Sequence, residues 1–142
     1  MNDPIRKFFV AYAAAAHARD VQALVALYAD DIVVFDAWDA WRHEGRAAWR
    51  GIVGEWLGSL GAENLVVEFD DVRSHVSGDL AYGSAFVTYA AFSAGGERLR
   101  SLDQRITIVA ARRGDEWKIV HEHSSAPADF RTKAVLLHRA PR

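Results

Sequence analysis

The sequence predicts an α+β domain in which helices come first and a long antiparallel sheet follows. Three observations carry this. Apolar residues recur at helical spacing up to about Leu60, whereas from Leu65 onward they run and alternate as strands do. The triplets Ser77-Gly78-Asp79, Ala94-Gly95-Gly96 and Arg113-Gly114-Asp115 separate four strand-like segments, and turns that short make neighbours antiparallel. No proline occurs from Ile5 to Ala126, so one unbroken unit over 1–127 is expected, followed by a tail over 128–142.

The elements follow in order. Asp3-Pro4 reads as an N-cap with proline at the first helical position. Ile5, Phe8, Phe9, Tyr12, Ala13 and Ala16 then share one face of a helix to about Ala18. Asp20 caps a short second helix carrying Val21, Leu24, Val25 and Tyr28, which Asp30-Asp31 stops. Ile32 to Asp36 is β-branched and aromatic, hence a strand. A tryptophan-rich loop, Ala37 to Gly45, leads to a third helix from about Arg46 to Leu60, with Trp49, Ile52, Val53 and Trp56 on one face. Strands are expected at Leu65–Val76, Leu80–Phe92, Arg98–Arg112 and Glu116–Ser124. Ile106 and Ile108 alternate with Thr107 and Val109, so the strand is apolar on both faces. One face is expected to pack on the helices and the other to meet a second subunit, giving a homodimer through the sheet.

Composition narrows the function. The 142 residues are 51% hydrophobic and 25% charged, a globular balance. The net charge of −2 and scattered basic residues argue against nucleic acid as a partner. No apolar run approaches the roughly 20 residues of a membrane span. The N-terminus has no signal-like apolar segment, so a cytoplasmic protein without a membrane partner is expected. With no cysteine, thiolate nucleophiles, disulfides and cysteine zinc sites are excluded. Carboxylates, phenols and imidazoles remain as the reactive inventory. Neither a phosphate-cradling glycine loop nor a nucleophile elbow is present.

Asp36 stands out among the carboxylates. On a strand it shares a face with Ile32 and Val34. Burial there would raise its pKa and make it a base near neutral pH. The alternative is a strand-end Asp that caps the next loop. Tyr12 lies on the apolar face of the first helix, as a core tyrosine or as a donor into a pocket. Asp103 shares a strand face with Arg105 and Thr107, where a nearby Arg105 would hold it ionised. His121 and His123 point the same way as Trp117 and Ile119 on a strand, with Glu122 and Lys118 on the opposite face. The histidines could act as acid and base, or form a metal triad with Asp36. The expectation is no metal and no cofactor.

Three segments bear a resemblance: Ala18-Arg19-Asp20-Val21 through Tyr28-Ala29-Asp30-Asp31 and on to Asp36, Ser77-Gly78-Asp79-Leu80-Ala81, and Trp117 through Ser124. Together they resemble the NTF2-like superfamily, in its SnoaL-like and ketosteroid-isomerase-like branches, over about residues 5–127. The resemblance implies a cone: three N-terminal helices packed on a strongly curved antiparallel sheet that encloses a mostly apolar pocket for a small-molecule ligand. It also implies roles. In the isomerases an Asp five residues after the Asp-Asp pair is the general base, which falls on Asp36. The oxyanion-donating Tyr lies eight residues before the Asp opening the second helix, which falls on Tyr12. A Leu-Asp pair supplies a neutral carboxylic acid as a second donor, which falls on Leu102-Asp103. Trp38, Trp41, Trp56, Tyr28, Tyr82, Arg105 and Trp117 are the candidates to line the pocket and touch substrate. Tyr82 and Tyr89 lie on opposite strand faces, so at most one of them does. The implied activity is cofactor-free proton transfer, as in an isomerase, dehydratase or cyclase, on a small cyclic or polyketide-like molecule. The rival is a non-catalytic ligand-binding or oligomerisation module of the same fold.

Overall fold

A computed structural model describes residues 3–140; residues 1–2 and 141–142, the outer ends of the two expected spans, lie outside the described residues. Helix α1 spans Pro4–Ala18, α2 Val21–Val25 and α3 Arg46–Gly58. The strands are β1 (Tyr28–Phe35), β2 (His43–Glu44), β3 (Asn64–Ser77), β4 (Leu80–Phe92), β5 (Arg98–Arg113) and β6 (Glu116–Ser125). They form one sheet in the order β2-β1-β6-β5-β4-β3.

The caps behave as their residue types dictate. The Asp3 carboxylate accepts from the Ile5 and Arg6 N–H groups, and that of Asp20 accepts from Ala23 N–H. Three expectations are corrected. Tyr28 opens β1 and does not close α2, because its side chain is fully buried and hydrogen-bonded across the sheet. Asp30 and Asp31 lie within β1, both exposed, paired with Arg46 and Arg113 respectively. The sheet is mixed, since β1 runs parallel to β6. That pairing is open to β1 because the whole remaining chain intervenes before β6.

Inward faces of β3, β4 and β5 carry Leu65, Val67, Ala81, Ala85, Val87, Ile106 and Ile108. These pack against Ile5, Phe8, Phe9, Tyr12 and Ala16 of α1. The helix approaches β4 closely at Gly83, where an added Cβ would stand 2.4 Å from Ile5 Cγ2 and 2.7 Å from the Arg73 carbonyl oxygen. Only glycine leaves room for the helix there.

One irregularity positions the site. In β5–β6, Val109 pairs with His121 but Ala110 pairs with Ile119, so Val120 is an extra residue on β6. Such a bulge reverses the alternation beyond it. Ile119 faces inward, and after Val120 so do Glu122 and Ser124, both buried.

After Ser125 the chain turns back. The Ala128–Val135 bridge and a turn capped by the Asp129 carboxylate shape this segment. Strand β5 is longer than β6 and leaves an unpaired stretch of edge. The tail covers it, with Leu137 carbonyl accepting from Asp103 N–H at 2.7 Å.

Candidate active site

A cavity of about 380 Å³ lies between α1, α3 and the inner face of the sheet. Tyr12 enters it from α1, and Trp49, Ile52, Val53 and Trp56 from α3. The sheet contributes Tyr89, Leu102, Gln104, Glu122 and Ser124, and the loop after β1 contributes Asp36, Trp38 and Asp39. The size and the mixture of aromatic walls with few polar groups suit a small organic ligand.

Asp36 follows Val34 on the inward side, as its spacing requires. Its carboxylate accepts from Ser124 Oγ at 3.2 Å. Burial raises its pKa; the Ser124 hydroxyl, the Ala37 N–H and nearby His43 offset only part of that rise. The result is a base stronger than an ordinary carboxylate, open to the cavity.

Glu122 is the second acid, and only 3% of its surface is exposed. Burial, with the Asp36 charge added, raises its pKa to about 7 against the lowering effect of Tyr28. The Tyr28 hydroxyl donates to Glu122 Oε1 at 2.5 Å from behind the cavity wall. Burial also keeps the Tyr12, Tyr28 and Tyr89 phenols neutral well above their ordinary range. The Tyr12 ring is held edge-on to Phe69, with centroids 5.7 Å apart. Trp56 is edge-on to Tyr89 at 5.6 Å. A base of raised pKa, an acid that titrates near neutrality and neutral hydroxyl donors therefore line one cavity, which Asp39 and Glu55 also reach. Among the described residues, Trp49 Nε1 is the buried side-chain atom left without a hydrogen-bond partner.

Of the expected residues, the structure brings Tyr12, Asp36, Trp38 and Trp56 together around the cavity. Tyr28 supports it through Glu122. Others go elsewhere. His121 and His123 face away, because the bulge at Val120 shifts them out of phase with Ile119. His121 Nδ1 contacts the Val33 carbonyl, and both rings flank Phe35. A metal triad with Asp36 is not formed, and no cluster of three or more metal-ligating side chains occurs among the described residues.

Asp103 also lies on the outer face, since Leu102, Gln104, Ile106 and Ile108 take the inner one. Its carboxylate accepts from Thr88 Oγ1 at 2.7 Å and Arg139 N–H at 2.8 Å. Partial burial pushes its pKa up, but these donors and the Arg139 and His138 charges outweigh that and leave it lowered. It is an ionised clasp for the tail and neither a neutral oxyanion donor nor the partner of Arg105. Arg105 binds Ser125 Oγ on the outer face. Tyr82 is 55% exposed there, beside His75. Trp117 sits under α1 with Phe8 and Leu27, and Trp41 is exposed on the loop outside the cavity.

Glu122, Ser124, Gln104, Tyr89 and Trp49 complete the site beyond those expectations. A signal existed for Gln104: the face it shares with Leu102, Ile106 and Ile108 is the more apolar, hence the inner one. For Glu122 the one hint is Ile119-Val120, two adjacent apolar residues where alternation calls for one.

A curved sheet wrapped on three helices around a cavity defines an NTF2-like protein. The SnoaL-like domain family matches residues 5–129, and the chain belongs to that family. Among solved structures, an NTF2-like protein of unknown function from Pseudomonas putida is 31% identical, with TM-score 0.84 over 96% of this chain and 94% of that one. Aln2 from a Streptomyces species is 12% identical, with TM-score 0.75 over 86% and 87%. A proposed dehydratase of the NTF2-like family from Streptomyces avermitilis is 22% identical, with TM-score 0.68 over 86% and 92%. The last two likenesses are of fold. No curated protein matches the sequence.

Proposed function

We propose that this protein is a cofactor-free acid–base enzyme acting on a small cyclic carbonyl compound. The observation that carries the reading is the pair Asp36 and Glu122: two carboxylates with raised pKa in one aromatic cavity. Asp36 removes a proton from the carbon beside the carbonyl. The electron pair moves to the carbonyl oxygen, where protonated Glu122 and the Tyr89 hydroxyl, which itself accepts from Tyr12, offer hydrogen bonds. Where the substrate carries a β,γ-double bond, Asp36, now protonated, returns the proton to the γ-carbon and the double bond moves into conjugation, which completes an isomerisation. Alternatively, loss of a β-hydroxyl that takes the Glu122 proton completes a dehydration. Each hydrogen-bond donor to a developing oxyanion is worth about 10²–10³ in rate.

The test needs no native substrate. 5-Nitrobenzisoxazole reports any desolvated base, because loss of its ring proton breaks the N–O bond and releases a coloured nitrophenolate. The expected outcome is turnover about 10²-fold or more above free acetate at equal concentration, abolished in a folded Asp36→Asn variant. Turnover no better than acetate would refute the reading and favour a binding module. Undiminished turnover in Asp36→Asn would refute Asp36 as the base.

A further inference from the structure

A second cleft, about 720 Å³, adjoins the cavity between the loop after β1 and the C-terminal tail. Asp36, Trp38, Asp39 and Ser124 line both spaces. The base therefore stands where two spaces meet and not at the end of a closed one. Phe35 and Trp41 form one wall of the cleft, and Val135 and Leu137 the other. Trp41 has 97% of its surface in solvent. An indole so placed adds nothing to the core and offers a stacking face to an incoming ring. The opposite wall is held, not loose: Val135 bridges to Ala128, Leu136 N–H donates to the Pro127 carbonyl at 2.8 Å, and Leu137 is tied to β5 through Asp103 N–H. Arg42 on the cleft is already paired with Glu44 at 3.0 Å, and His123 shares the lining with the carboxylates of Asp36 and Asp39, so the cleft calls for no anionic group.

We propose that this cleft is a second subsite of the same site, taking a flat, uncharged apolar ring joined to the part of the substrate held in the cavity. The substrate is then an elongated molecule that passes Asp36 and Trp38 at its middle. This rests on the acid–base reading of the cavity and adds the shape of what enters it. The tail, clasped by Asp103, becomes a wall that selects for length.

Titration calorimetry with 2-naphthol and 6-phenyl-2-naphthol tests it on the wild type, Trp41→Ala and Val135→Ser. Both substituted residues are exposed, and circular dichroism checks that the variants fold. The phenyl extension is expected to tighten binding about tenfold. Each variant should lose most of that gain while its 2-naphthol affinity stays within about twofold of the wild type. If 2-naphthol binds and the extension adds nothing, the second subsite is overturned and the cavity reading stands. A gain that survives in both variants also overturns it, because the ring then sits elsewhere. If 2-naphthol itself does not bind, the cavity reading fails and the subsite fails with it.

Discussion

Replacing Glu122 with glutamine should make the protein more stable above neutrality and leave that stability difference near its baseline in acid. The carboxyl is raised from 4.5 to about 7 in the fold. Below pH 4.5 it is protonated in both states and contributes no pH dependence. Between 4.5 and about 7 the unfolded chain gives up the proton first, so folding must take one up and stability falls as pH rises. Above about 7 the native state carries the whole cost of a buried charge, about 3 kcal/mol. The glutamine side chain keeps the shape and an acceptor for the Tyr28 hydroxyl but has nothing to ionise. Urea unfolding of both proteins at pH 4 and pH 8.5 supplies the difference at each pH, and all other titrating groups largely cancel between them. The difference should shift in favour of Glu122→Gln by about 3 kcal/mol across that range. A pH-independent difference would refute the raised pKa and with it the role of Glu122 as an acid near neutrality. In an Asp36→Asn background the shift should shrink, because the Asp36 charge contributes to the rise.

Four further outcomes are expected. Tyr28→Phe removes the hydrogen bond that lowers the Glu122 pKa, so the decline in stability that begins near 4.5 should continue to a pH above 7 before it levels off; a decline that ends at lower pH than in the wild type would contradict the pairing. Asp103→Ala should cost about 1–2 kcal/mol and speed amide exchange at Arg139, leaving nitrobenzisoxazole turnover intact; lost turnover with a protected tail would return Asp103 to the chemistry. Gly83→Ala should destabilise by about 1–3 kcal/mol in urea, and a neutral result would mean that α1 can lift from β4 freely. The outer sheet face exposes Leu80 and Tyr82, so sedimentation at micromolar concentration should report about twice 15.8 kDa and Tyr82→Arg should halve it; a wild-type monomer refutes dimerisation through the sheet.

Much of the fold was legible in local chemistry. Asp3 and Asp20 cap the helices they introduce, and the long strands begin and end within a residue of where the glycine turns place them. Asp36 could be placed because Ile32, Val34 and Asp36 keep strict alternation up to the cavity. Strand β2 was not legible, since His43-Glu44 is held only by pairing to β1. Tyr28 looked helical by spacing, and its partner Glu122 lies 94 residues away.

The sequence by itself determined the α+β class, the family, the caps and turns, and the cysteine-free inventory of carboxylate, phenol and imidazole from which the site is built. These depend on spacing and residue type within a few positions. Tertiary structure alone decided which acid joins Asp36. One extra residue, Val120, turns Glu122 inward and the two histidines outward, because a strand has only two faces and a single insertion exchanges them. It also decided that Asp103 serves the tail: β5 outruns β6, and the chain that covers the exposed edge brings Arg139 N–H to that carboxylate. The first arises from the register between β5 and β6, and the second from where the returning tail meets the free edge of β5.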